Sequence, residues 1–246
     1  MRKTQFLCLA VSRREGGNCI AGIDLQSGEW IRPVDALGHG ALSSYELTMW
    51  DEALASSRLL EPLDIVELRL GSNVGSCGQP ENWTFLSPPK GEHYRIVGHA
   101  SHDRSIQKRI ATLSELDMYS GLIFGSSDKA ISHIVIERNP IESSLCIVKP
   151  RYLRWQRDRN YKGYPCIEGY LDLGRNLTRH VLRLTDVKWE RMLLEITLGE
   201  PIIEHEDIPE ITPTIETYLT ISLGDVFPRT GLHYKLIAGV LLLPKI

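Results

Sequence analysis

Short runs of alternating apolar and polar residues, rich in β-branched side chains and separated by Gly- and Asn-containing turns, recur along the chain. A period of two sends one face of each run into a core and the other outward. The chain therefore has to build β-sheet, and the close spacing of the runs favours a sandwich or barrel over a βαβ array. In the first part, strands are expected near Gln5–Val11, Cys19–Asp24, Glu29–Val34, Asp64–Leu70 and Tyr94–His99, with turns at Glu15-Gly16-Gly17-Asn18 and Gln26-Ser27-Gly28. A second set is expected near Leu145–Leu153, Tyr164–Leu171, Val181–Leu184, Tyr218–Ser222 and Tyr234–Leu242.

Helical spacing breaks this pattern twice. Leu47, Trp50 and Leu54 recur at i, i+3 and i+7 and predict a short helix within Ser44 to Leu60. Behind a possible Asp103 N-cap, Ile106, Ile110, Leu113 and Leu116 predict a helix reaching Met118 before Gly121. Five strands on each side of a helical connector suggest two small barrels, and the simplest closed five-stranded solution is the OB-fold. The expected class is mainly β: two OB-like five-stranded barrels, at 1–102 and 141–246, joined by a helical connector at 103–140.

Charge and composition narrow the function. Among 246 residues, 28 Lys and Arg stand against 31 Asp and Glu, a net charge of −3 that excludes a wholly basic nucleic-acid coat. The longest apolar run, Leu236 to Leu243, is strand-sized and ends at Pro244, so no membrane span is expected. The basic N-terminus is followed only by Phe6 to Val11 before Arg13 and Arg14, which argues against a secretion signal; a cytoplasmic location is expected. Five cysteines without a C-x-x-C spacing suggest buried thiols rather than disulfides or a zinc ribbon.

Three segments taken together resemble the dual OB-containing domain family. They are Cys8-Leu9-Ala10-Val11-Ser12-Arg13 running to Cys19-Ile20-Ala21-Gly22; Gly28-Glu29-Trp30-Ile31-Arg32-Pro33-Val34; and Ser222-Leu223-Gly224-Asp225 with Tyr234-Lys235-Leu236-Ile237-Ala238. Weaker echoes are Pro80-Glu81-Asn82-Trp83 and Leu184-Thr185-Asp186. The resemblance implies two OB-like barrels in one compact unit and a nucleic-acid-related role in bacteria or archaea, in some cases in defence.

The residues themselves point to a partner of the same kind. Between Arg151 and Tyr164, cations interleave with aromatics across a strand-hairpin-strand: Arg151, Arg154, Arg157, Arg159 and Lys162 with Trp155 and Tyr161. Such mixtures hold single strands, DNA or RNA, because cations neutralise phosphates while flat rings stack on bases. The same segment also reads as a solvated hairpin, with Trp155 or Tyr152 packed inward and the arginines paired to the acidic, proline-containing stretch from Glu195 to Glu216, itself expected to be an exposed loop. Ser12, Arg13 and Arg14 before Gly16-Gly17 could present cations to a phosphate, or merely form a hairpin turn. Arg32 beside Trp30 could bind a phosphate or stack across the sheet. Glu81, Asn82 and Trp83 fall in a long Gly-rich stretch that reads as a binding loop or a plug over one barrel end.

No cofactor or metal is called for. His99 and His102 with Asp103 lack further placed ligands, and no G-x-x-x-x-G-K-[ST], H-E-x-x-H or G-x-S-x-G pattern occurs. The expected function is a non-catalytic nucleic-acid-binding component that prefers single strands, with possible protein partners from the same system. Two rivals stay open: a nucleic-acid-modifying enzyme with a pocket near Ser12, Arg13 and Lys235, and a protein-interaction adaptor built on the barrels.

Overall fold

The computed structural model describes residues 1–35, 40–89, 91–115, 120–160, 162–196 and 202–245. The first sheet holds β1 (Arg2–Arg14), β2 (Gly17–Asp24), β3 (Trp30–Val34), β4 (Thr48–Asp51), β5 (Ser56–Leu59), β6 (Asp64–Asn73), β7 (Asn82–Phe85) and β8 (Arg95–His99). Helix α1 (Arg104–Ser114), β9 (Ala130–Ser132) and α2 (His133–Arg138) follow. The second sheet adds β10 (Leu145–Val148), β11 (Tyr152–Arg159), β12 (Pro165–Leu173) and β13 (Thr178–Leu184); after α3 (Val187–Ile196) come β14 (Ile202–Glu204), β15 (Ile215–Phe227) and β16 (Leu232–Pro244).

The first sheet closes. Its strands run β1-β2-β3-β7-β6, and β6 pairs back onto β1, with β3 and β7 parallel and the other pairs antiparallel. This is the strand order of a five-stranded Greek-key OB barrel. Its interior is filled by alternate residues of those strands, among them Phe6, Cys8, Ile20, Ile31, Val66 and Leu68. The second sheet repeats the order as β11-β12-β13-β16-β15, again with one parallel pair, β13 with β16. Here β14 lies beyond β11 and β10 beyond β15, and no pairing between β11 and β15 is present among the described residues. The barrel is open along that seam, yet Trp155 on β11 and Leu219 and Ile221 on β15 share one core with Trp189 and Leu193 of α3.

The barrels meet along β1. Its run from Phe6 to Ala10 is buried on both faces, which explains why it is continuously apolar instead of alternating. Phe6 and Cys8 fill the first barrel, while Leu7 and Leu9, with Ile23 of β2, pack on Ile147, Tyr218, Leu241 and Leu243 of the second. Ala10 and Ala21 pack against Leu145 and Ala238. The outer face of β1, β2 and β3 is thus covered by β10, β15 and β16.

Several expectations need correction. The helix expected within 44–60 is the β4–β5 hairpin. Asp51 accepts the Ala53 and Leu54 backbone N–H groups to make the turn, and Arg58 ties Asp51 to Asp64 at 2.6 and 2.8 Å. Leu47 and Met49 are buried two apart, while Trp50 and Leu54 are exposed, so the governing period was two. The stretch around Asn82 and Trp83 is strand β7, which closes the first barrel, and Glu81 before it is buried. The span Leu145–Leu153 holds two strands, β10 and the start of β11. The acidic stretch carries β14 and a short 3-10 turn at His205–Asp207. Helix α1 begins as expected behind Asp103, whose carboxylate accepts the Ser105 and Ile106 N–H groups, and ends at Ser114; Leu116 and Met118 lie outside the described residues.

Candidate nucleic-acid interface

In an OB barrel, oligonucleotides lie on the outer face of the second and third strands, between the loop joining strands one and two and the loop joining strands four and five. The first barrel's version of that face, on β2 and β3, is packed against the second barrel. In the second barrel it lies on β12 and β13, flanked by the 160–164 turn and by Pro228 to Gly231.

The 160–164 turn is built by its own sequence. Asn160 Oδ1 accepts the Lys162 and Tyr164 N–H groups, Gly163 takes the left-handed conformation (φ +82°), and Arg159 donates to the Gly163 carbonyl at 2.8 Å. The turn leaves Lys162 exposed and Tyr164 65% exposed. Tyr161 lies outside the described residues.

Strand parity then sorts the β11 candidates. Leu153 and Trp155 point inward, while Tyr152, Arg154 and Gln156 point outward. Trp155 is 0% exposed, stacked on Trp189 at 6.2 Å, and donates its indole N–H to His205 Nδ1 at 3.1 Å. It has no face to offer a base, which removes it from the stacking candidates. The aromatic on the outer face is Tyr170 of β12, whose ring lies 4.9 Å from the Arg154 guanidinium carbon. Tyr152 donates its hydroxyl to Glu204 of β14 at 2.6 Å. Arg151 is exposed and Arg157 half-buried. The expected pairing of the basic hairpin with the acidic stretch is therefore present at Tyr152 and Glu204.

Cross-strand register carries this face toward the first barrel. Gln156, Glu168, Arg183, Leu236 and Ser222 are successive partners across β11, β12, β13, β16 and β15. At about 4.8 Å per strand, the row spans roughly 19 Å. Arg179, two residues before Val181 on the same face, pairs with Asp172 at 2.9 Å. Arg183 Nε is buried with no hydrogen-bond partner among the described residues. Burial, reinforced by Asp158, holds the Glu168 carboxyl above its usual range. Sequence reading did not nominate Tyr164, Tyr170, Arg179 or Arg183. For Tyr170 the signal was available: it sits two residues from Asp172 and opposite Arg154 once the hairpin register is set.

The row ends at Ser222, which with Leu236 lines the same cavity as Arg13 and Arg14. The end of β1 reaches β13, with Arg13 N donating to the Thr185 carbonyl at 2.7 Å. Arg13 pairs with buried Glu190 at 2.9 Å, and Arg14 pairs with Asp225. Ser12 is buried. These residues, with Cys19 and Arg32, line a cavity of about 160 Å³ between the barrels, and the segments that carry the family resemblance converge on it. Arg32 itself is buried and bonded to Ser144 at 2.8 Å, Ser222 at 3.1 Å and Glu81 at 3.2 Å. It ties the barrels together and does not face solvent.

Lys235 is not part of this cavity. It points into the second barrel, donates to the Ser126 carbonyl at 2.7 Å, and burial lowers its pKa to about 8. Lys235 is therefore not brought together with Ser12 and Arg13. Asp186 is also structural: it accepts the Lys188, Trp189 and Val240 N–H groups at 3.0 Å each, while burial raises its pKa to about 6. Among the described residues, no group of three or more His, Cys, Asp or Glu is placed to hold a metal, and no helix is long and apolar enough to cross a membrane.

A family model described as a dual OB-containing domain matches residues 4–240, nearly the whole chain. No curated protein and no solved structure matches.

Proposed function

We propose, from the premise that the chain belongs to the dual OB-containing domain family, that its second barrel binds single-stranded nucleic acid on the outer face of β12 and β13. One observation carries the reading. The OB ligand face of the first barrel is packed between the barrels, while that of the second is half-buried along Glu168, Tyr170, Val181 and Arg183, exposed at Arg179, and bordered by Arg154, Arg159, Lys162 and exposed Tyr164. On this reading phosphates run along Arg151, Arg154, Arg159 and Lys162, a base stacks near Tyr170, and the strand heads for Arg13 and Arg14. Single strands are favoured because the face is a sheet with stacking rings and no basic recognition helix. The finer reading, a non-catalytic component of a prokaryotic defence or nucleic-acid-processing system in the cytoplasm, rests on the family resemblance.

Fluorescence anisotropy of labelled single- and double-stranded DNA and RNA across a salt series tests it. Single strands are expected to bind with a log–log salt slope of roughly −3 to −4, corresponding to about four to six neutralised phosphates. An Arg151→Ala, Arg154→Ala, Arg159→Ala triple variant should bind more weakly and flatten that slope by about two. Equal binding by parent and triple variant would sink the reading.

A further inference from the structure

A cleft of about 1010 Å³ opens on the first barrel, away from the OB ligand face. Its floor is the outer face of β1, β6, β8 and β4. Gln5, Glu67, Arg95 and Trp50 are successive cross-strand partners, and Lys3 lies opposite Arg69 one step along. Pro88, Pro89, Glu92 and His93 form a wall. That wall is fixed at both ends: Leu86 N donates to the Arg69 carbonyl at 3.2 Å, and the buried Tyr94 donates its hydroxyl to the Leu86 carbonyl.

The charges in the cleft are not evenly matched. Arg95 is held by Glu52 at 2.7 Å and Glu67 at 2.6 Å, so Glu67 is neutralised on the floor. Lys3 and Arg69 have no ion-pair partner among the described residues, and Glu92 is the one acid of the lining left against them. Trp50 is 41% exposed on the β4–β5 hairpin, a large ring kept at the surface with Arg95 as its cross-strand neighbour and Arg69 and Lys3 two and three strands away. A strand spacing of about 4.8 Å puts Trp50 roughly 10 Å across the sheet from β6, where Arg69 stands, so a ring and a cation can be met by neighbouring parts of one chain.

We propose that this cleft is a second contact for single-stranded nucleic acid, with a base stacked on Trp50 and phosphates held by Lys3 and Arg69. It rests on the reading of the second barrel but uses a different surface. A strand long enough to meet both surfaces binds more tightly than either contact alone allows, because the second contact is made intramolecularly.

The test uses the full chain and oligothymidylates of about 8 and about 30 nucleotides, the first within and the second beyond the site size of about 4–16 nucleotides of one OB barrel. Anisotropy and tryptophan fluorescence are read for the parent, Trp50→Ala with Arg69→Ala, Trp50→Phe, and an Arg154→Ala, Arg159→Ala, Lys162→Ala face variant. The cleft double variant should bind the long oligomer about ten-fold more weakly, while Trp50→Phe keeps the affinity and loses part of the fluorescence quenching. If the cleft double variant matches the parent at both lengths while the face variant is weakened, the cleft inference falls and the second-barrel reading stands. If the face variant matches the parent while the cleft double variant is weakened, the reverse holds. If the parent binds neither oligomer, both fall.

Discussion

At the residue scale, His205 and Asp186 are buried groups whose titrations oppose each other. His205 accepts the Trp155 indole N–H at Nδ1, so its proton sits on Nε2, which donates to Thr217 at 2.7 Å. Burial lowers its pKa from 6.5 to about 4. The stability it contributes is present above the unfolded value and lost as pH falls through the folded one, roughly 3 kcal/mol in all. Asp186 has its pKa raised from 3.8 to about 6, mainly by burial, against the backbone N–H groups that favour its anion. Its contribution is present below the unfolded value and lost as pH rises through the folded one, again roughly 3 kcal/mol. Difference profiles separate the two. Relative to the parent, His205→Gln should gain stability as pH falls from about 6.5 to about 4, and Asp186→Asn should gain it as pH rises across about the same window. Urea melts at several pH values read this out; two parallel difference curves would contradict the assignment.

At the scale of elements, strand parity decides most of what could and could not be read in advance. Long alternating runs such as β6 and β12 are legible because one face of each meets a core. The capped helix α1 is legible because Asp103 marks its start. The β4–β5 hairpin was hidden because Leu47, Trp50 and Leu54 fit helical spacing by coincidence, while Asp51 and Arg58 supply a turn that periodicity does not register. Trp155 could not be sorted from sequence, since both faces of β11 carry an aromatic and an arginine. Only the register with β12 and the contact with Trp189 show which side is core. The β1–β16 crossing was equally invisible, and it imposes a sharp demand. At Gly239 a β-carbon would run into the Leu9 carbonyl oxygen, at the bulge where Leu9 also accepts the Thr220 hydroxyl at 2.6 Å. Gly239→Ala should therefore cost about 1–3 kcal/mol by forcing two packed backbones apart. A denaturation midpoint equal to the parent's would show that the crossing yields freely.

At the scale of the whole molecule, the question is whether two barrels make one folding unit. Leu7, Leu9 and Ile23 bury against Leu241, Leu243 and Ile147 across the junction, and each such side chain is worth about 1.5–3 kcal/mol on burial. Neither barrel keeps that surface dry alone, so the apolar term couples them. The polar term sharpens the coupling. Arg32 and Glu81 come from the first barrel, Ser144 and Ser222 from the second, and Glu81 also accepts the Ser144 N–H at 3.1 Å. With Arg32 and Glu81 both about 5% exposed or less, removing one partner strands a buried charge, whereas removing both does not. Arg32→Met should thus cost about 3–5 kcal/mol, and Arg32→Met with Glu81→Gln should recover a large part of that loss. The parent should unfold in one transition reported alike by far-ultraviolet circular dichroism and by tryptophan fluorescence, read in a variant background that keeps only Trp155 and Trp189 of the five tryptophans. Arg32→Met should separate the two signals as the barrels lose each other. If the parent already unfolds in two steps, the junction is a docking contact between independent domains. The strand path from the second-barrel face to Arg13 and Arg14 would then cross a hinge instead of a rigid surface.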